Sequence, residues 1–101
     1  MTFYSFRLYV TGETTASREA TENLRAICEA RLAGRYELEI IDVLESPEAA
    51  EDERIVATPT VVRLLPSPKE RVIGDLSDLR SAVRALGFPA AKEPSPKDRR
   101  E

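Results

Sequence analysis

Tyr4, Phe6, Leu8 and Val10 alternate with Ser5, Arg7 and Tyr9. This period-two pattern predicts a strand over residues 3–11, with Tyr9 on the opposite face. After the loop Gly12-Glu13-Thr14-Thr15 the period changes. Ala20, Leu24, Ile27, Cys28 and Leu32, with Arg31 among them, recur at helical spacing and predict a helix from Ala16 to Ala33. Thr14 or Thr15 can cap its start, and Gly34 can stop it. Tyr36 to Leu44 returns to strand spacing, with Leu38 and Ile40 on one side and Ile41 and Val43 on the other. Apolar residues on both faces predict an inner strand. Ser46-Pro47-Glu48 is a helix start, with a serine cap, a proline in the first turn and an acid at the positive end of the dipole. It predicts a short acidic helix from Pro47 to Ile55.

Val61 to Leu65 follows as a strand by its β-branched content. Pro66-Ser67-Pro68 makes the return, and Arg71-Val72-Ile73, ended by Gly74, is the last strand. Ser77 can cap a final helix in which Leu79, Ala82, Val83 and Leu86 share a face, with Gly87 and Pro89 ending it. The order is βαβαββα within a predicted domain of residues 1–88, the α/β arrangement of thioredoxin-like folds. Residues 89–101 hold three prolines, four bases and three acids without an apolar pattern, which predicts a disordered tail.

Composition narrows the chemistry. The chain has 101 residues, room for one core. Its 15 basic and 18 acidic side chains leave a net charge of −3, without the basic footprint of a nucleic-acid binder. No apolar run approaches a membrane span, and the start lacks a signal-peptide pattern. A lone cysteine fits a reducing compartment, so cytoplasm is expected. There is no histidine, which removes the commonest general base and metal ligand. No metal or other cofactor is expected.

The candidate groups read the same way. A thiol oxidoreductase on this fold needs a thiolate at the start of its first helix. Gly12 to Ser17 contains no cysteine, and Cys28 lies on the apolar stripe as a core residue. Thr14, Thr15 and Ser17 read as caps rather than as donors to a bound thiol. Glu45, Glu48, Glu51, Asp52 and Glu53 read as a solvated helix face. Asp42 and Asp75 have no evident base or nucleophile beside them, and the four glycines form no phosphate loop. Thr58-Pro59, directly before the hairpin, is expected to be cis, an isomer that X-Pro bonds alone commonly adopt.

Leu8-Tyr9-Val10-Thr11-Gly12, Ile41-Asp42-Val43-Leu44, Ala57-Thr58-Pro59-Thr60, Leu65-Pro66 and Arg71-Val72-Ile73-Gly74-Asp75-Leu76-Ser77 occur in the order and spacing of the KaiB family. The chain resembles that family over residues 4–87. The resemblance implies a non-catalytic clock adaptor. It would bind the ATPase ring of a KaiC-type P-loop protein and turn its phosphorylation cycle toward dephosphorylation. The KaiB-like sensor region of clock-associated histidine kinases is a related domain, so a free-standing sensor that docks a histidine kinase is the alternative. A thiol oxidoreductase is a distant third. By resemblance the KaiC-facing residues are Glu45, Ser46, Pro47, Glu51 and Arg54. KaiA and histidine kinases would add at the edge of the second strand. Glu37, Glu39 and the tail depart from the family pattern there and disfavour KaiA.

The family is also metamorphic, which implies two packings within a few kcal/mol of each other. One is a self-associating ground-state fold with a rearranged C-terminal half, and the other is the thioredoxin-like monomer. Thr58, Pro59, Ala85 and Gly87 are the positions expected to bear on that balance. Ala85 in place of a glycine favours the last helix by about 1 kcal/mol, and Gly87 then stops it. The thioredoxin-like state is therefore expected to dominate.

Overall fold

A computed structural model describes residues 2–89. Seven elements follow one another: β1 (Tyr4–Val10), α1 (Thr15–Leu32), β2 (Tyr36–Asp42), α2 (Pro47–Asp52), β3 (Thr60–Leu65), β4 (Glu70–Ile73) and α3 (Leu79–Leu86). They form one four-stranded sheet in the order β2-β1-β3-β4. β1 and β2 run parallel, with Leu8 opposite Ile40, because α1 carries the chain back to the same end. β3 is antiparallel to β1, with Leu8 opposite Val61, and β4 closes a hairpin with Val72 opposite Val61.

The apolar alternation of β1 decides the layers. Tyr4, Phe6, Leu8 and Val10 join Ala20, Leu24, Ile27, Cys28 and Leu32 of α1 and Ala82 and Leu86 of α3 in one core. Tyr9 and Val62 are as completely buried, but they lie on the other face of the sheet. That second face also carries Arg71, opposite Val62, whose guanidinium donates to the carbonyl of Glu53 just after α2. The short α2 and its exit therefore belong to the second face, opposite α1 and α3.

β2 is an edge strand, not the inner strand its composition predicts. β1 takes the inner place because it pairs with both β2 and β3. Ile40 is consequently 38% exposed. Val43 is only half-buried, beside Ile55 to Thr58 rather than under a covering layer. β2 also ends at Asp42, two residues early. There the Asp42 carbonyl accepts from the N–H groups of Glu45 and Ser46 and turns the chain.

Two helix starts differ from expectation. Thr14 does cap α1, accepting from the Ser17 N–H at 3.2 Å. α3, however, is capped by Asp78 and not by Ser77. The helix starts at Leu79, which puts Asp78 in the cap position, and its carboxylate accepts from the Ser81 N–H and hydroxyl. Gly87 ends α3 in the left-handed region at φ 72°, where a Cβ is costly. Residues 80–86 are thus helical, as in the thioredoxin-like arrangement. The disordered tail expected over 89–101 lies, apart from Pro89, outside the described residues. Pro89 itself is half-buried, and its carbonyl accepts from Arg31.

The Asp78 cap carries a pH dependence. Its hydrogen bonds to Ser81, first from the backbone N–H and then from the hydroxyl, hold the carboxyl below the usual carboxylate range. A depressed folded value stabilises the fold above the unfolded pKa of about 3.9 and loses that contribution as pH falls through the folded value. Asp78→Asn keeps a good cap but cannot titrate. Its urea midpoint is expected to fall less than the parent's between neutral pH and pH ~3. Parallel acid limbs for the two proteins would show that the cap does not contribute.

One buried residue had no forerunner in the pattern. Arg63 faces the core opposite Phe6 and is only 7% exposed. Its Nη1 donates to the carbonyl of Leu86 at 2.7 Å and its Nη2 to that of Pro68 at 2.6 Å, while Nε has no partner. The guanidinium ties the C-terminus of α3 to the β3–β4 turn. The available signal was a base at an apolar-phase position of β3.

Candidate partner-docking surface

Asp42 builds the approach to α2. Its Oδ1 accepts from the N–H of Gly12 at 3.1 Å and of Leu44 at 2.9 Å, tying the ends of β1 and β2 together. The Asp42 carboxylate therefore closes a turn rather than forming a catalytic pair with Asp75, which accepts locally from Ser77. Past this turn the chain presents Leu44, 69% exposed, then Glu45, Ser46 and Pro47. Ser46 precedes α2 but makes no side-chain cap, a correction to the predicted helix start. At φ −133° and ψ 66° its hydroxyl misses the N–H groups, and its carbonyl accepts from Ala49 instead. Pro47 and Glu48 stand in the first turn as expected.

The far end of α2 departs further. The helix stops at Asp52, not Ile55, because Arg54 adopts φ 58°. Arg54 is therefore an exposed turn residue and not a helical one, with its N–H donating to the Glu51 carbonyl. Glu53 is no part of a solvated helix face either. Its carboxylate, with a side chain only 12% exposed, accepts from Lys69 at 3.1 Å and Arg71 at 2.9 Å and clamps the exit of α2 to β4. Beyond it, Val56 is 87% exposed at the mouth of a shallow cavity of about 240 Å³ lined by Thr11, Val43, Ala50, Ile55, Ala57 and Thr58.

Glu45, Ser46, Pro47, Glu51 and Arg54 are thus strung along one short segment, flanked by the exposed apolar side chains of Leu44 and Val56. Ala85 and Gly87 are not brought to this surface, since α3 lies across the sheet. Sequence reasoning missed Leu44 and Val56, whose apolar character reads as core until the sheet order leaves them outside.

Arg54 gives a direct test of the turn. A left-handed residue with a Cβ costs roughly 1–2 kcal/mol, and glycine's extra unfolded-state entropy costs about 0.5–1 kcal/mol. The first effect is the larger. Arg54→Gly is therefore expected to stabilise the fold by about 0.5–1 kcal/mol, read as a higher thermal midpoint. A lower midpoint would mean that the arginine side chain holds the turn.

At the start of α1, where a thiol enzyme would carry its nucleophile, the Ser17 hydroxyl accepts from the Thr11 N–H and from the Thr14 hydroxyl. The Thr11 and Thr58 hydroxyls share a hydrogen bond, and the Thr58–Pro59 peptide beside them is cis. The peptides before Pro66 and Pro68 are cis as well. Cys28 is fully buried in the core, and burial, with the Glu29 charge, pushes its thiol up to about 12.

A family model described as the KaiB domain matches residues 7–87. The chain belongs to the KaiB family. Among KaiB relatives, the circadian clock oscillator protein KaiB of Prochlorococcus marinus (strain NATL2A) is 51% identical over 83 residues, covering 82% of this chain and 78% of that protein. The circadian clock protein KaiB3 of Synechocystis is 45% identical over 80 residues, covering 79% of this chain and 78% of the relative. The fold is shared more widely than the family. The N-terminal domain of SasA from Synechococcus elongatus superposes with a TM-score of 0.70 at 23% identity, over 92% of this chain and 91% of that one. Mitochondrial thioredoxin 3 of Saccharomyces cerevisiae superposes with a TM-score of 0.65 at 18% identity, over 80% and 76%. The KaiB chain thus has a thioredoxin-like fold, with the resemblance read from its motifs confirmed at the level of family and fold.

Proposed function

We propose that this KaiB-family chain is a cytoplasmic clock adaptor that docks on the ATPase ring of a KaiC-type protein and modulates its phosphorylation cycle without chemistry of its own. The observation that carries the reading is the family match over 7–87, together with the surface at α2. There Glu45, Ser46, Pro47, Glu51 and Arg54 stand beside Leu44 and Val56, the mixture of apolar anchor and charged rim that protein partners use. A non-catalytic role is supported by the lack of a cysteine between Gly12 and Ser17 and by Cys28, whose raised pKa leaves almost no thiolate at neutral pH. Among the described residues no helix is long and apolar enough to cross a membrane. KaiA is a disfavoured partner. At the β2 edge Glu39 is engaged by Arg7 and Glu37 by Ser5, so the strand carries a departure from the family pattern that is built into the sheet.

The test is co-migration of the purified chain with a KaiC hexamer on size exclusion, with ATP and with a non-hydrolysable analogue. The complex is expected with the parent and weakened by about tenfold or more in Arg54→Glu, since a central interface charge is worth more than about 1.4 kcal/mol. No complex in any nucleotide state would overturn the reading. Undiminished binding by Arg54→Glu combined with Glu51→Lys would move the interface away from α2.

Metamorphic switching with self-association belongs to the same proposal. Its support is the family match, while the left-handed Gly87 and the helix-favouring Ala85 are expected to bias the balance toward the thioredoxin-like state. A second reading, a free-standing sensor that docks a histidine kinase, draws on the close superposition with the SasA domain. Binding to a kinase core in preference to KaiC would decide for it.

A further inference from the structure

Across the sheet from α2, the groove between α1 and α3 holds a second surface. Arg31 of α1 and Leu79, Arg80, Val83 and Arg84 of α3 line a cavity of about 450 Å³. Three of the five lining residues are arginines, and no carboxylate is among them, on a chain whose net charge is −3. Leu79 is 48% exposed, and Val83 is half-buried against the core. The groove therefore has an apolar floor with cations beside it.

The spacing of those cations is informative. Arg80 and Arg84 stand at i and i+4 on one exposed face, where like charges destabilise a helix. A basic residue in the last turn favours the dipole, which accounts for Arg84 and, on α1, for Arg31. It does not account for Arg80, in the first turn, where the positive end of the dipole opposes it. Asp78 caps the helix and its charge is attracted to both arginines, so it offsets part of this repulsion, one carboxylate against three guanidinium groups of the groove. Among the described residues neither Arg80 nor Arg84 has a salt bridge, and Arg31 is held by the neutral carbonyl of Pro89. An anion placed in the groove would offset this repulsion.

We propose that the α1–α3 groove is a docking site for an acidic segment of a protein partner, one that sets carboxylates against Arg31, Arg80 and Arg84 and an apolar side chain against Leu79 and Val83. The chain's own residues 90–101 are a poor occupant, since they carry four bases and three acids. A nucleic acid is a poor one also. It needs a longer basic track than three arginines, and it offers no apolar side chain for Leu79 and Val83. The site is independent of the α2 surface and of the KaiC reading.

The probe is a short fluorescein-labelled peptide of repeated Glu-Glu-Leu-Ala units, with a Gln-for-Glu copy as control, followed by anisotropy against the full chain. Binding is expected, weakening with added salt and falling by about tenfold or more in Arg80→Glu/Arg84→Glu and for the Gln peptide. Arg80→Gln/Arg84→Gln, which removes charge without reversing it, is expected to lie between the two. Leu79→Ser is expected to weaken binding without changing the salt dependence. Circular dichroism and retained KaiC co-migration by the arginine variants would separate loss of this groove from loss of the fold or of the α2 surface. No peptide binding, or equal binding by parent and glutamate variant, overturns the proposal. So does tighter binding of single-stranded DNA or of anionic phosphatidylglycerol vesicles that the same variant abolishes. Concentration-dependent sedimentation lost in the variant would assign the groove to a second copy and overturn it likewise.

Discussion

Phe6→Ala is expected to lower the unfolding free energy by about 3–5 kcal/mol, against a total of roughly 5–15 kcal/mol for a domain of this size. Phe6 is 1% exposed and sits on the inner strand β1, between Leu38 of β2 and Arg63 of β3, in the core that α1 and α3 share. Its ring stacks on Phe88 at 5.1 Å and on Tyr4 at 6.0 Å, and Tyr4 in turn stacks on Phe88 at 6.3 Å. Truncation therefore leaves a cavity and breaks a three-ring cluster that joins β1 to the segment after α3. The cavity closes poorly because strand pairing holds β1 on both sides. Urea unfolding followed by circular dichroism checks this. A loss below ~1 kcal/mol would mean that the aromatic cluster is loosely packed.

Arg63→Ala is expected to cost about 2–4 kcal/mol. The buried carbonyl of Leu86 loses its donor, at roughly 1–3 kcal/mol for a group left dry, the part-buried carbonyl of Pro68 loses one that water can replace, and a cavity is added. Part of this is offset, because the guanidinium has no carboxylate partner and an orphan Nε, so burying it was itself expensive. The stranded Leu86 carbonyl and the cavity together outweigh that relief. Arg63→Lys is expected to fall between parent and alanine, since a single ammonium does not bridge two carbonyls as a planar fork does. The neighbouring Gly87 extends the test. A Cβ there would lie 2.5 Å from Arg63 Nη1 and would also occupy a left-handed φ. Gly87→Ala is therefore expected to cost less in the Arg63→Ala background than in the parent, a coupling that a double-mutant cycle measures. Simple additivity, or an Arg63→Ala variant as stable as the parent, would remove Arg63 from its place as the tie between α3 and the hairpin.

Long patterns were readable because they report burial averaged over many residues. The Tyr4-Phe6-Leu8-Val10 alternation and the Ala20-to-Leu32 stripe placed β1, α1 and the core side of the sheet. Gly34 and Gly87 marked helix ends correctly for a backbone reason, a left-handed φ. The lack of a cysteine between Gly12 and Ser17 is likewise a local feature of the sequence.

The misses share a different cause. Ile41 and Val43 suggested an inner β2, yet sheet order is a property of which strands pair, and apolar content reports burial without saying by what. Ser46 and Ser77 look like caps by residue type, but a cap depends on backbone angles, which fail at Ser46, and on where the first turn begins, which puts Asp78 in the place of Ser77. Glu53 and Arg54 read as one solvated helix. Only the packing of Lys69 and Arg71 against the exit of α2 made the first a clamp and the second a turn.

The amino-acid order alone thus determined the type and order of the elements, the core face of β1 and α1, and the family, because each rests on spacing along the chain, while the ends of β2 and α2 did not. The folded molecule decided what lies across from what: a base that caps a helix 23 positions away, and apolar side chains left outside at α2. It also decided that arginines from α1 and α3 share a groove. Those relations are made by contacts distant in the chain, where spacing along it carries no information.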